Sequence, residues 1–331
     1  MLKRIENKAL EIHRNAIVID GLNGSVMDQE YFKKMLEGGI TATNHTIARM
    51  HNLSETIKEI SNMYKLMEDS DKALLVNTTE DIRRAKREGK VGIILGFQNI
   101  APLDGDLSFL LEGDLGLLKI YQKLGVRVIQ LTFDYRNPAG DGCREKTDSG
   151  LSFFGEKLVK EMNKLGIVID LAHVSKNTAL EAIEVSKEPV IASHSNAYSL
   201  VPTHQNKDDE VIKAIAEKGG VIGATLFPRL LGKERATIED FLDHIDYMVN
   251  LVGVDYVGIG SDFGEGWIEN PALRKKLLEM DGKIYVFPKG IDSVVKFPNI
   301  TAGLLSRGYS DDDVEKIIGG NFLRVFERVF R

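Results

Sequence analysis

Two short apolar runs in this chain stop on a histidine. "GIVIDLAHVS" (166–175) leads through Ile167, Val168, Ile169 and Leu171 to His173, and "PVIASHSNA" leads from Val190 to His194. A third run, "YVGIGSDFGEG" from Tyr256, leads to Asp262. Two neutral imidazoles and a carboxylate can hold one divalent ion and leave a position open for water. The ion would lower the pKa of that water toward neutrality, and Asp262 could orient it or take its proton. Each residue also has a plainer reading. A lone histidine after a strand is often a hydrogen-bonded core or loop residue, and Asp262 could cap a turn. The metal reading therefore requires the three residues to meet in space.

The pattern of the chain supplies a way for them to meet. Eight apolar runs read as strands: "AIVIDGL" from Ala16, "ITATNHT" from Ile40, "VGIILGFQN" from Val91, "VRVIQLTF" from Val126, "IVIDLAH" from Ile167, "VIASH" from Val190, "VIGATLF" from Val221 and "YVGIGSDF" from Tyr256. Several are almost continuously hydrophobic, as strands buried on both faces are. They begin about 34 residues apart on average, the scale of a βα unit. Helical patterns fill the gaps. "SFFGEKLVKEMNKLG" places Phe154, Leu158, Met162 and Leu165 on one face and closes on Gly166. "TIEDFLDHIDYMVNLVG" opens with the capping-box pair Thr237 and Asp240.

Eight alternating units predict an α/β fold, a (β/α)8 TIM barrel spanning residues 1–331 as one domain. An irregular excursion is expected over about 264–299, with Trp267 and Tyr285 in a lid or a packed loop. A doubly wound open sheet is the alternative, but no Gly-rich phosphate loop follows the first run. In a barrel, the C-terminal strand ends form the active-site mouth. Those ends carry Asp20 to Asn23, Asn44 and His45, Gln98 and Asn99, Phe133 to Arg136, His173, His194, Phe227 with Arg229, and Asp262.

Composition narrows the function classes. The 331 residues are 43% hydrophobic and 28% charged, as in ordinary globular proteins. A net charge of −6 argues against nucleic acid or an anionic membrane as partner. The single cysteine, Cys143, forbids an intrachain disulfide, and as a nucleophile it lacks a positioned base. His13, His51 and His244 fall in helix or loop surroundings and read as structural. The charged N-terminus "MLKRIENKALEIHRNA" has no signal-peptide core, and no apolar run approaches a membrane span, so the cytoplasm is the expected location. The apolar stretch "PLDGDLSFLLEGDLG" could serve a homodimer interface or pack as a loop.

In series, "IVIDGLN", "EMNKLGIVIDLAHVS", "SHSNA", "YVGIGSDFGEG" and "IIGGNFLRVFERV" resemble the membrane (renal) dipeptidases, zinc-dependent barrels of the amidohydrolase type. The resemblance implies that His173 and His194 are the two histidine ligands. It also implies that Asp262 binds metal and acts as base. This chain departs from the family elsewhere. The His-x-Asp pair expected after the first strand, in "DGHND", is "DGLNG" here, with Leu22 and Gly24 at the ligand positions. The bridging glutamate appears as Gln98, a strand-4 histidine as Phe133, and the carboxylate-gripping arginine falls near Gln205.

Two divalent ions bring four positive charges, whereas His173, His194, Asp262 and a neutral Gln98 oxygen supply one negative charge. The expectation is one divalent metal, zinc above others. The expected function is hydrolysis of a dipeptide or another small amide. Asn99 or Tyr135 could donate to the oxyanion, Arg136 or Arg229 could replace the carboxylate clamp, and His45 could hydrogen-bond at the mouth or act as a third ligand. Two alternatives stay open: a non-catalytic barrel that holds a small molecule, and a mononuclear C–C or other carbonyl hydrolase or lyase.

Overall fold

The structure is a computed structural model that describes residues 2–103, 115–266, 271–272, 275, 278–279, 282 and 286–331. Its strands are β1 (Ile19–Asn23), β2 (Ala42–Ala48), β3 (Ala73–Leu75), β4 (Val91–Phe97), β5 (Val126–Gln130), β6 (Val168–Asp170), β7 (Ile191–Ala192), β8 (Val221–Ala224) and β9 (Val257–Ile259). They pair in the order β1-β2-β4-β5-β6-β7-β8-β9, and β3 adds to β4 outside this path. Every pairing is parallel. The ring closes between its first and last strands. Asp262 donates its backbone N–H to Leu22 (3.0 Å), and Gly24 donates to Phe263 (2.8 Å). This is the expected eight-stranded barrel, each of the eight apolar runs supplying one strand. The three residues of β3 are too few to show a periodic pattern.

β4 and β8 are buried along their whole length, which explains their continuous apolar character. Helices cover the outer face. The one over Phe153–Leu165 buries Phe154, Leu158 and Met162 and is stopped by Gly166 in the left-handed conformation (φ 69°). The one over Ile238–Val252 begins with the expected capping box of Thr237 and Asp240. The last helix, Asn321–Val329, closes the N-terminal end of the barrel. Its Asn321 amide donates to Val254 and Val257 oxygens, and Arg324 reaches the Gly219 oxygen at 2.7 Å. Phe322 enters so closely that a Cβ on Gly21 would lie 2.4 Å from its ring, and one on Gly258 2.6 Å. Those two positions must be glycine for the plug to seat.

Part of the 264–299 excursion, including Trp267 and Tyr285, lies outside the described residues, as does 104–114 of the segment expected to pack as a loop or interface. No helix among the described residues is long and apolar enough to cross a membrane.

His13 shows what a structural histidine does in this fold. Its Nε2–H donates to the Gly38 oxygen at 2.9 Å, and its Nδ1 accepts from the Thr301 hydroxyl at 2.7 Å. Burial pushes its pKa from 6.5 down to about 4. The unfolded chain therefore takes a proton below pH 6.5 that the folded ring refuses. Its contribution is complete above pH 6.5 and is lost as pH falls toward 4, by up to about 3 kcal/mol. Denaturant melts at pH 7 and pH 4.5 should show a smaller acid loss in His13→Gln than in the parent. Equal losses would place the acid sensitivity elsewhere.

Candidate metal centre

The mouth is organised by two buried carboxylates used in the same way. At the end of β6, Asp170 Oδ1 accepts from the backbone N–H groups of Ala172 (3.1 Å) and Ser193 (2.8 Å), while Oδ2 accepts from the Ser193 hydroxyl (2.5 Å). In β1, Asp20 Oδ1 accepts from Leu22 (3.4 Å) and Ser261 (2.7 Å), and Oδ2 from the Ser261 hydroxyl (2.6 Å). The local sequences repeat: "IVID" precedes both clamps, and each serine immediately precedes a mouth residue, His194 or Asp262. Burial raises both carboxyls, Asp20 to about 6, and the serine bonds oppose the rise.

His173 and His194 meet beyond the first clamp, with their Nε2 atoms 2.9 Å apart. Each ring is fixed from its other nitrogen. Nδ1 of His173 lies 2.8 Å from Asp134 Oδ1. Burial works to raise the Asp134 carboxyl, but the His173 bond and charge, with Arg144, bring it down to about 2. That carboxylate accepts, so the His173 proton sits on Nδ1. Nδ1 of His194 lies 2.7 Å from Ser193 Oγ, whose own hydrogen is spent on Asp170, so here too Nδ1 donates. Both Nε2 lone pairs are thereby aimed at one point. Burial above all holds His194 well below its ordinary pKa. Nε2 atoms this close either share a proton or face a common cation, and the second is the donor arrangement of a metal site. A divalent ion fits this pair; among the described residues the three ligating side chains gathered within 4.8 Å of one another are Asp134, Cys143 and His173, a set that Asp262 does not join.

Asp134 and Asp262 share a further feature. Both have positive φ, 62° and 54°, the left-handed region that aspartate tolerates better than most residues. These kinks turn the chain out of β5 and β9 just where the side chains must re-aim toward the mouth. Burial pushes the Asp262 carboxyl up to about 7, against the pull of Arg49 and with the push of Asp20 and Asp134. Arg49, directly after β2, donates from Nε to Gln98 Oε1 at 2.8 Å. Its guanidinium lies over the Phe133 ring, 5.0 Å from the centroid, and Phe133 stacks on His173 at 4.4 Å.

A model of the membrane dipeptidases, peptidase family M19, matches residues 6–277 and 278–330. The chain belongs to the membrane dipeptidase family. It is 33% identical over 283 residues to dipeptidase tcpJ of Claviceps purpurea, covering 84% of this chain and 60% of that protein. It is 34% identical over 242 residues to dipeptidase aclJ of Aspergillus oryzae, covering 72% and 51%. The chain thus spans little more than half to three fifths of the curated relatives it matches. Among solved structures it resembles an amidohydrolase from Pseudomonas aeruginosa, with 38% identity, a TM-score of 0.89, and 97% and 99% of the two chains covered.

For a membrane dipeptidase, the remaining mouth residues are placed unevenly. Gln98 is buried, but its oxygen is committed to Arg49, and its Nε2 faces His194 Nε2 at 3.5 Å. Gln205 Nε2 lies 3.3 Å from His173 Nε2, and its Oε1 accepts from Arg229 at 3.4 Å. Arg229 is therefore one side chain away from the histidine pair. His45 is buried, with Nδ1 3.2 Å from the Asn23 oxygen, and burial lowers it to about 4. Asn99 Oδ1 accepts from Ile100 and Asn137, and its Nδ2, the group expected to donate to an oxyanion, faces Met50 Sδ at 3.1 Å. Arg136 pairs with Asp141, and Tyr135 is 56% exposed, so neither is drawn to the histidines by a hydrogen bond. Cys143 Sγ sits 3.5 Å from Asp134, and burial pushes its thiol up to about 12, far from a thiolate.

Sequence reasoning passed over Asp134, Ser193 and Arg49 as site residues. Arg49 was hidden because β2 runs through Thr46, Ile47 and Ala48, two residues past the end expected at Thr46. If Ser193 sets the His194 tautomer, Ser193→Ala should weaken zinc binding by about 10- to 100-fold in a chelator-competition titration. An unchanged affinity would leave the hydroxyl a purely structural role.

Proposed function

We propose that this chain is a metal-dependent hydrolase of dipeptides or similarly small amides, working with one divalent ion, zinc above others. The observation that carries the reading is the convergence of the His173 and His194 Nε2 atoms, each ring set from behind, at the mouth of a membrane-dipeptidase barrel. His173, His194 and Asp262 would hold the ion. Such an ion, when bound, supplies Lewis acidity at a carbonyl and makes water a nucleophile at neutral pH.

The chain's own groups do the rest. Asp262, just past the end of β9, can accept a proton from water and return it to the leaving amine. Arg144, Thr203, His204, Gln205 and Arg229 line a cavity of about 250 Å³, and Gln205 links it to His173. Its two guanidinium groups suit the carboxylate end of a small substrate, with Arg229 in the role of clamp. A volume of that size holds a dipeptide-scale group.

Two measurements test the reading. His173→Ala and His194→Ala should each lose bound metal by elemental analysis and lose hydrolysis across a dipeptide panel. Asp262→Asn should fold normally and lower kcat by about 10²- to 10⁴-fold. Alanine variants that keep both metal and turnover would sink the proposal. A parent protein that captures a small molecule without converting it would favour a binding module instead.

A further inference from the structure

The departures from the family pattern look unrelated along the sequence, but several of them surround one group. Gln98, in place of the bridging glutamate, gives its oxygen to Arg49 Nε at 2.8 Å. Gly24, in place of the strand-1 aspartate, has no side chain. A Cβ built there would lie 3.7 Å from Arg49 Nη2, so an aspartate at this position would point at the guanidinium. Phe133, in place of the strand-4 histidine, supplies the aromatic face under the guanidinium at 5.0 Å. Asp262 and Asp134 both act on Arg49 as nearby negative charges.

We propose that Arg49 is a built-in cation that takes the place of the second divalent ion of a dinuclear centre, limiting this chain to one ion at the histidine pair. A guanidinium is permanently charged, planar and not exchangeable, and with one charge where a divalent ion has two it can be satisfied by a neutral oxygen, an aromatic face and fewer carboxylates. The substituted residues supply those two things. A divalent ion beside it would meet a fixed positive charge in a poorly solvated mouth, with two of the expected carboxylate ligands absent. Arg49 acts here as a charge-setting residue and need not touch substrate.

This inference rests on the family assignment and on the one-ion reading above, and counting ions separates the two. Metal-depleted full-length protein is titrated with zinc by calorimetry, and retained metal is counted by elemental analysis after gel filtration. Four proteins are compared: the parent, Gln98→Glu, Gln98→Glu with Arg49→Ala, and Gln98→Glu with Arg49→Met. The parent and the single variant should hold the same number of ions, and removal of Arg49 beside Glu at 98 should add one more. A second ion in the parent, or no gain in the double variants, overturns the role given to Arg49. A parent with no ion and a double variant with one would sink the hydrolase reading while leaving Arg49 as the excluded ion's substitute. The methionine variant keeps the packing if alanine unfolds the mouth. Electron paramagnetic resonance of the cobalt-loaded parent gives an independent reading: an isolated ion agrees, and a spin-coupled pair does not.

Discussion

The barrel's chemistry depends on how two carboxylates are kept inside it. Asp20 and Asp170 are fully buried, where an unpaired charge would be costly. Each is satisfied by one serine that offers both its backbone N–H and its hydroxyl from the neighbouring strand. The bonds replace ladder hydrogen bonds, so β7 and β9 end where the carboxylates take over. They also fix where the next residue points. Asp170 positions Ser193 and hence His194, while Asp20 ties β1 to Ser261 and delivers Asp262 across the seam of the barrel. A purely apolar interior could close the ring but could not aim these side chains.

Charge balance is the second constraint. Arg49 and Lys207 bring positive charge into the mouth, and Asp134 and Asp262 bring negative charge. Lys207 is buried with its ammonium on the Val174 oxygen at 2.9 Å, and burial lowers its pKa to about 8. Asp134 serves three partners at once: His173, Arg144 and Cys143. Arg49 is met by the Gln98 oxygen and by the nearby charges of Asp262 and Asp134.

Much of this was legible in the chain itself. Strand burial on both faces leaves a continuous apolar signature, so all eight barrel strands could be read from hydrophobic runs and their spacing. Their ends then pointed to His173 and His194, whose Nε2 atoms do meet, because a parallel barrel gathers C-terminal strand ends. The repeated "IVID" was visible too, although its meaning depends on which serine lies opposite. Family membership followed from motifs in series.

Tertiary structure decided what local pattern cannot encode. Arg49 carries no motif, and its importance comes from Gln98, Gly24 and Phe133, which lie 49, 25 and 84 positions away and meet it through the barrel's closure. The proton positions on His173 and His194 depend on Asp134 and on the Asp170–Ser193 pair, contacts made across strands. Arg136 and Arg229 are equivalent as sequence, yet one is held by Asp141 on the rim and the other reaches Gln205 beside the histidines. Residue type and strand periodicity are properties of the chain. Which charge faces which is a property of the closed ring.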